Sequence, residues 1–482
     1  IIYGIMAADL HLGEWRGNVT NGIVPTTTFE AVPGALSFEI INTSNKYSFN
    51  YTDSTLTLPS SGLADGYLMI AAFEYEDTSN GRAMLNGRIL QTSGTGDDIA
   101  PITGGYNRDN SDDRTYVRTW AFVNNPSASS TFQFQWRRDV DAPSGGTVRA
   151  VFEVISFFYD SVSLYSSNST LLYGGITPNQ IQSFTTVTEG SGATRSGNVV
   201  TLNNNKRYLC LGAGHAIGSG NSRTQRWLGF RQNGTKIDYS KGYYYIRNDA
   251  NSSTGAMFSC ITGSTGSTTM DMFSYRGDGV AAGEGGADND GGTLASAEYY
   301  MAFIELNNNT NCIQYTNGTT TTNVGVASVV DLPSFNTSLV NNSGSYFTNI
   351  GANSSTTLEA AKDFTILSGS NVSSAAETVS TGVRFTGYAH FFRATTLQNE
   401  TFHGNYARNN QGSTDTFGQS YNLCSTTPLT TGETFKIGAQ TLSTSSGDSN
   451  HTIQSGWHGT WGIALESMPP VNVNARRIIS IT

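Results

Sequence analysis

Apolar and polar residues alternate over runs of five to eight positions along most of this chain, and clusters of Gly, Asn, Asp and Ser bound the runs. A period of two predicts half-buried antiparallel strands joined by turns. Asn86-Gly87 and Asn233-Gly234 lie between such runs and read as hairpin turns.

The runs recur in the same order three times. Opening strands are Gly66-Tyr-Leu-Met-Ile-Ala-Ala72, Arg207-Tyr-Leu-Cys-Leu-Gly-Ala213 and Asp363-Phe-Thr-Ile-Leu-Ser-Gly369. A second set starts at Arg82, Arg226 and Val383, and a third at Thr131, Thr269 and Thr434. Closing strands run through Arg149–Glu153, Tyr299–Glu305 and Thr460–Glu466. Aligned on their glutamates, the closing strands step by 152 and 161 residues (153 to 305 to 466), and the opening strands by 141 and 156 (67 to 208 to 364). The chain reads as a triplication.

Roughly eight strands in about 120 residues suggest a two-sheet jelly roll. The expected fold class is all-β: three tandem antiparallel jelly-roll β-sandwich domains forming a single-chain pseudo-trimer. The expected boundaries are 1–40 for an N-terminal arm, 41–160, 161–310 and 311–467 for the three jelly rolls, and 468–482 for a C-terminal tail. Stretches near 161–195 and 307–350, rich in Ser, Thr, Asn and Gly, read as extended linkers.

The order of a Tyr-Leu strand, an Arg…Asn-Gly hairpin, a Gly-Glu-Thr-Phe strand and a final apolar strand resembles the tumour-necrosis-factor/complement-type trimeric jelly roll. Tyr208-Leu209, Arg226 to Thr235, Gly432-Glu-Thr-Phe435 and Tyr299 to Leu306 carry the resemblance. It implies a non-enzymatic scaffold with three units about a threefold axis, as in receptor ligands and in bacteriophage fibre, spike and head-decoration proteins.

Composition narrows the classes. Charged residues are 13% of the 482, with a formal net charge of -10, and no Lys/Arg run exceeds Arg137-Arg138 or Arg476-Arg477, so a nucleic-acid partner is not expected. No stretch of 18 apolar residues would span a membrane. The start, Ile1-Ile-Tyr-Gly-Ile-Met6, shows no secretory pattern and reads as processed or trimmed. Cys210, Cys260, Cys312 and Cys424 are far apart, without CxxC pairs, and read as buried free thiols.

Catalytic constellations are not evident. The six His, including His215, His390 and His458, have no recurring acid or nucleophile beside them, and Asp97-Asp98, Asp112-Asp113 and Glu74/Glu76 sit in turn-like segments. No catalytic, cofactor or firm metal site is expected. Asp278, Glu284, Asp288 and Asp290, on one Gly-rich loop, are weak Ca²⁺ candidates, set against a solvated acidic loop; Arg276-Gly277-Asp278 forms an RGD tripeptide beside them. Tyr243, Tyr244 and Tyr245, like Phe157-Phe-Tyr159, could stack on sugars or anchor an interface, or pack within sheets and between units.

These readings converge on a structural virion protein: a phage capsid decoration or cement protein, or a surface spike, bound to the major capsid protein or other virion proteins through its arms and a pseudo-threefold base, at the particle surface. Copies of itself and a host surface glycan are further candidate partners. The alternative is a glycan- or receptor-binding adhesin or fibre protein, viral or secreted bacterial; an enzyme grafted on the repeats is third.

Overall fold

The computed structural model describes residues 12–467 except 34–38, 42–45, 78–81, 108–113, 140–144, 170–178, 182, 247–252, 277–290, 325–328, 334, 343–345, 350–355, 377–383, 398–402, 409–415, 425–427 and 443–450. The described residues are nearly all in antiparallel strands, with one 3-10 turn at Leu465–Ser467.

Strand pairing falls into three blocks, and the longer strands define the architecture. The first block holds β1 (Leu12–Ile23), β2 (Gly66–Asp77), β3 (Ala83–Ser93), β4 (Thr103–Asn107), β5 (Arg114–Asn124), β6 (Thr131–Arg138) and β7 (Gly146–Phe157). The second holds β8 (Ser161–Ser169), β9 (Arg207–Gln232), β10 (Thr235–Ile246), β11 (Ser253–Gly263), β12 (Thr268–Arg276) and β13 (Gly291–Leu306). The third holds β14 (Cys312–Thr316), β15 (Thr337–Asn342), β16 (Ile366–Ala376), β17 (Arg384–Arg393), β18 (His403–Arg408), β19 (Thr416–Cys424), β20 (Thr434–Leu442) and β21 (His458–Ala464).

One strand order repeats. An inner sheet runs β1-β7-β2-β5, β8-β13-β9-β11 and β14-β21-β16-β19 in the three blocks. An outer sheet runs β6-β3-β4, β12-β9-β10 and β20-β17-β18. β9 serves both sheets of its block because it is 26 residues long, where the other blocks use two strands. The segments matched in the sequence lie at corresponding places in this order.

Each inner sheet is apolar on both faces. In the second block Tyr208, Cys210, Met301 and Phe303 face their own outer sheet, while Leu209, Leu211, Ala302 and Ile304 join a cluster shared with the other two blocks. In the third block Ile366 and Ala464 point inward, while Leu367, Trp461, Ile463 and Leu465 join the same shared cluster. Strand alternation thus gives every inner sheet one face for its own sandwich and one for the centre of the molecule.

The pairing register corrects the glutamate alignment. Leu68 lies opposite Ile155, Leu209 opposite Ile304 and Leu367 opposite Ile463, and all six residues belong to the central cluster. On that register Glu305 corresponds to Ser156, not Glu153, and Glu466 lies beyond β21 in the 3-10 turn. Three further expectations differ. Residues 12–23 of the expected arm form β1, paired with β7. The expected linkers contain β8, Thr185–Glu189, β14 and β15; β8 and β14 are hydrogen-bonded to a strand on each side, so a Ser- and Thr-rich composition here marks paired strands rather than loops. Asn86-Gly87 lies inside β3, where a Cβ on Gly87 would sit 3.0 Å from Val117 and 3.1 Å from Phe73, so close packing between the sheets explains that glycine. Asn233-Gly234 is a hairpin turn, with φ of 51° and 78° at its two residues, between β9 and β10.

Candidate functional site

The candidate site is the seam where the three blocks meet. Contacts there are cyclic. β11 of the second block packs on β4 of the first, β5 of the first on β18 of the third, and β19 of the third on β10 of the second. Since β5, β11 and β19 occupy one place in the repeated order, and β4, β10 and β18 another, each block offers the same edge to the same receiving strand of its neighbour. That is a closed head-to-tail ring built from one chain.

β11 shows how the seam is made specific. It pairs with β9 on one side, which leaves backbone groups on the other side to be satisfied. Side chains of the neighbours supply the partners. From the first block, the Asp139 carboxylate accepts hydrogen bonds from the Ser253 N–H and, at 3.0 Å, from the Ser253 hydroxyl, while Asn86 Nδ2 donates to the Ser253 carbonyl at 3.3 Å. From the third block, Asn371 Oδ1 accepts from the Ser259 N–H at 3.2 Å and Asn371 Nδ2 donates to the Ser259 carbonyl at 2.6 Å. Gln314 Oε1 accepts from the Ile261 N–H at 3.0 Å, and Trp461 Nε1 donates to Ser259 Oγ at 2.9 Å. Burial pushes the Asp139 carboxyl above the usual carboxylate range; the Ser253 bonds and Arg137 oppose that shift.

A second feature of the seam is a buried cation. Lys241, fully buried on β10, places Nζ 4.0 Å from the ring centre of Trp457 in the third block and 4.8 Å from that of Trp227. Its ammonium donates to Asp238 Oδ1 at 3.0 Å. Burial pulls the Lys241 amine down to about 8, with Asp238 working against that shift.

The residues singled out in the sequence fall as follows. Tyr243, Tyr244 and Tyr245 are 1%, 1% and 4% exposed, so their rings offer no stacking surface for a sugar. Tyr244 belongs to the core of the second block, and Tyr243 and Tyr245 form an aromatic cluster with Trp227, against which Tyr106 of the first block packs. They therefore lie where the packing alternative put them, Tyr244 within a sheet core and Tyr243 and Tyr245 between units, and alternation on β10 separates them. Phe157 and Phe158 are buried, and the Tyr159 hydroxyl donates to Asn124 Oδ1 at 2.6 Å. Asp278, Glu284, Asp288 and Asp290, with Gly277 of the RGD tripeptide, lie outside the described residues. Among the described residues no group of three or more His, Cys, Asp or Glu could hold a metal ion.

Two histidines are buried and uncharged. His215 and His458 are each held down to about 3, by burial and, for His215, additionally by Arg137. His458 Nε2 lies 2.9 Å from Ser370 Oγ and 3.2 Å from Thr460 Oγ1, inside the third block. Cys210, Cys260 and Cys312 are buried free thiols, and Cys210 lies opposite Cys260 in the β9–β11 register. Burial raises the Cys210 and Cys312 thiols, which suppresses the reactive thiolate.

The sequence reading missed Asn371, Gln314, Asn86 and Asp139. Asn371 and Gln314 are polar residues on inner-sheet strands at positions where the alternation calls for apolar ones, and that break in pattern was their only signal.

No family model and no curated protein matches this chain. Among solved structures, PNGF-II is similar at 7% identity over 94% of this chain and 98% of that one, with a TM-score of 0.22. The CBM22-1-CBM22-2 tandem domain of Paenibacillus barcinonensis Xyn10C is similar at 10% identity over 60% of this chain and 93% of that one, with a TM-score of 0.17. Likenesses at this level carry no argument about fold or function.

Proposed function

We propose that this chain is a structural, non-enzymatic protein of a virus particle, a bacteriophage capsid decoration or cement protein or a surface spike. The observation that carries this reading is the cyclic seam: three like units close into a ring within one polypeptide, around one apolar centre. Such a body matches a local threefold position on a protein lattice, and fusing the units removes the concentration dependence of trimer assembly. Its partners are the major capsid protein or other virion proteins, met by the base of the ring and by residues 1–11 and 468–482. The expected contact is on the order of 1,000–2,000 Å².

The test is sedimentation of native source material on a sucrose gradient, probing for the chain. Comigration with megadalton particles at fixed stoichiometry supports the reading; recovery only as a free species near 51.6 kDa removes it. A glycan- or receptor-binding adhesin is the second reading. Because the three tyrosines are buried, it has to place its ligand on loops, and hits on a glycan array that survive Tyr243→Phe, Tyr244→Phe and Tyr245→Phe would favour it.

A further inference from the structure

The inner sheets of the second and third blocks end, on the side away from the seam, in two short strands: Thr185–Glu189 beside β8, and β15 beside β14. Among the described residues neither pairs with a further strand. Both carry the same irregularity. Leu164 pairs with Thr188 and Tyr165 with Thr186, so Val187 has no residue opposite it. Gln314 pairs with Val340 and Tyr315 with Ser338, so Leu339 has none either. Each is a β-bulge, one extra residue in the outer strand.

The two bulges occupy one place in the repeated order. Leu164 lies opposite Ala302 and Gln314 opposite Trp461. Ala302 and Trp461 each stand two residues before Ile304 and Ile463, which pair with the corresponding Leu209 and Leu367. The strands read Thr-Thr-Val-Thr-Glu and Thr-Ser-Leu-Val-Asn-Asn, so what the two blocks share here is the backbone irregularity rather than a motif. Packing does not account for the extra residues, because Val187 is 36% and Leu339 43% exposed.

An edge strand presents outward N–H and C=O groups on which another chain can add, and natural edges are blunted by lysine, by proline, by a cover or by a bulge. β15 has no charge and no proline, and Thr185–Glu189 has one glutamate at its end and neither lysine nor proline. Of these devices the bulge is the one that both strands show among the described residues. It bends and over-twists the strand and breaks the even spacing of its outward groups. On β15 it leaves Thr337–Ser338 on one side and Val340–Asn342 on the other, stretches too short to hold an incoming strand.

We propose that the bulges at Val187 and Leu339 refuse strand addition by a second copy of this chain, so that the ring remains a discrete body. The seam edge of β11 is closed by Asn371 and Gln314, and the outer edges of the second and third blocks are closed by the bulges. This role does not depend on whether the chain belongs to a particle.

Deleting both Val187 and Leu339 tests it, because the deletion pulls in two directions. It removes two exposed apolar side chains, which by hydrophobicity alone lowers self-association. It also restores two even edges, which on this proposal raises it. In sedimentation velocity the deletion variant is expected to form species of at least twice the parent mass, in a share that grows with concentration. A variant that is folded and sediments as the parent does overturns the proposal. A second measurement uses the parent alone. Its amides at 185–189 and 337–342 are expected to exchange hydrogen at the same rate in dilute and in concentrated solution. Slowing confined to those residues on concentration means that the edges do recruit a copy, and overturns it. If the deletion variant unfolds, seen as loss of protection throughout, the parent's exchange decides.

Discussion

Asn371 grips Ser259 by both ends of its side-chain amide, donating to the Ser259 carbonyl at 2.6 Å and accepting from its N–H at 3.2 Å. Both residues are fully buried. One amide therefore imitates the next strand of a ladder: it satisfies a backbone pair on the open side of β11 and ties the second block to the third. The same side chain that prevents β11 from recruiting a foreign strand makes the seam specific.

Removing that amide is expected to be costly because two backbone groups lose partners at once. An unsatisfied buried polar group costs about 1–3 kcal/mol, so Asn371→Ala should lower stability by about 2–4 kcal/mol in urea unfolding. Ser259→Ala removes a hydroxyl that accepts from Trp461 and orphans that one buried donor rather than a backbone pair, so it should cost less, about 1–2 kcal/mol. Equal losses for the two variants would show that the amide is not the anchor of the seam.

Lys241 makes a different kind of contact. A charge this buried is stabilised by Asp238 and by the Trp227 and Trp457 rings, yet replacing it with an apolar side chain of similar length removes the desolvation cost as well. Lys241→Met is expected to lie within about 1 kcal/mol of the parent or to be more stable, whereas Asp238→Asn leaves the ammonium without its carboxylate and should be destabilising. The pH dependence has a definite sign. The amine titrates near 8 in the folded protein against an ordinary 10.5, so between those values the unfolded chain binds the extra proton and stability rises with pH. Tyrosines such as the half-buried Tyr275, whose hydroxyl burial pushes above its ordinary value, act oppositely above about 10. Denaturation midpoints between pH 8 and 10 should climb in the parent and stay flatter in Lys241→Met.

Much of this architecture was legible because alternation and repetition are local properties. Tyr208-Leu209 and Tyr299 to Leu306 announced strands, read as half-buried, whereas the inner sheets bury both of their faces. The errors arose where tertiary context decides. Asn86-Gly87 has the composition of a turn, but Gly87 serves close packing and Asn86 reaches Ser253 across the seam. The strands Leu12–Ile23 and Ser161–Ser169 were hidden because buried positions along them carry polar residues, as with Ser161 and Ser163, whose hydroxyls accept from the Gly192 and Gly190 N–H groups. The repeating glutamates were misleading because a coincidence of type, unlike Leu68, Leu209 and Leu367, was not a coincidence of register.

The register also shows how three similar faces avoid filling one space identically. Trp461 pairs with Gly369, Ala302 with Leu211 and Glu153 with Ile70, so Trp, Ala and Glu occupy equivalent positions around the centre. A bulky residue on one unit is matched by a small one on another. Ala302→Trp is therefore expected to overpack the centre and to lose at least about 1–3 kcal/mol, while Trp461→Ala should open a cavity and cost about 3–5 kcal/mol. Chemical denaturation of the two single variants and their combination is informative: a double variant markedly more stable than the sum of the single losses would show that the two positions share the central space.

Acid should loosen the molecule through its buried histidines before its carboxylates titrate. His458 is held near 3 by burial against an ordinary 6.5, and its ring nitrogen is engaged with Ser370 and Thr460. Because the folded value lies below the unfolded one, the unfolded chain takes up the proton first, and stability falls as pH drops from 6.5 toward 3. The loss per histidine is about 1.4 kcal/mol for each pH unit once below 6.5. His215 contributes in the same sense, and the raised Asp139 carboxyl in the opposite one. In His458→Gln, which keeps a polar side chain beside Ser370 and Thr460, the slope of unfolding free energy against pH between 4.5 and 6 should decrease by about 1.4 kcal/mol per unit. An unchanged slope would mean that the histidine is already charged in the folded protein, and the buried, uncharged assignment would be wrong.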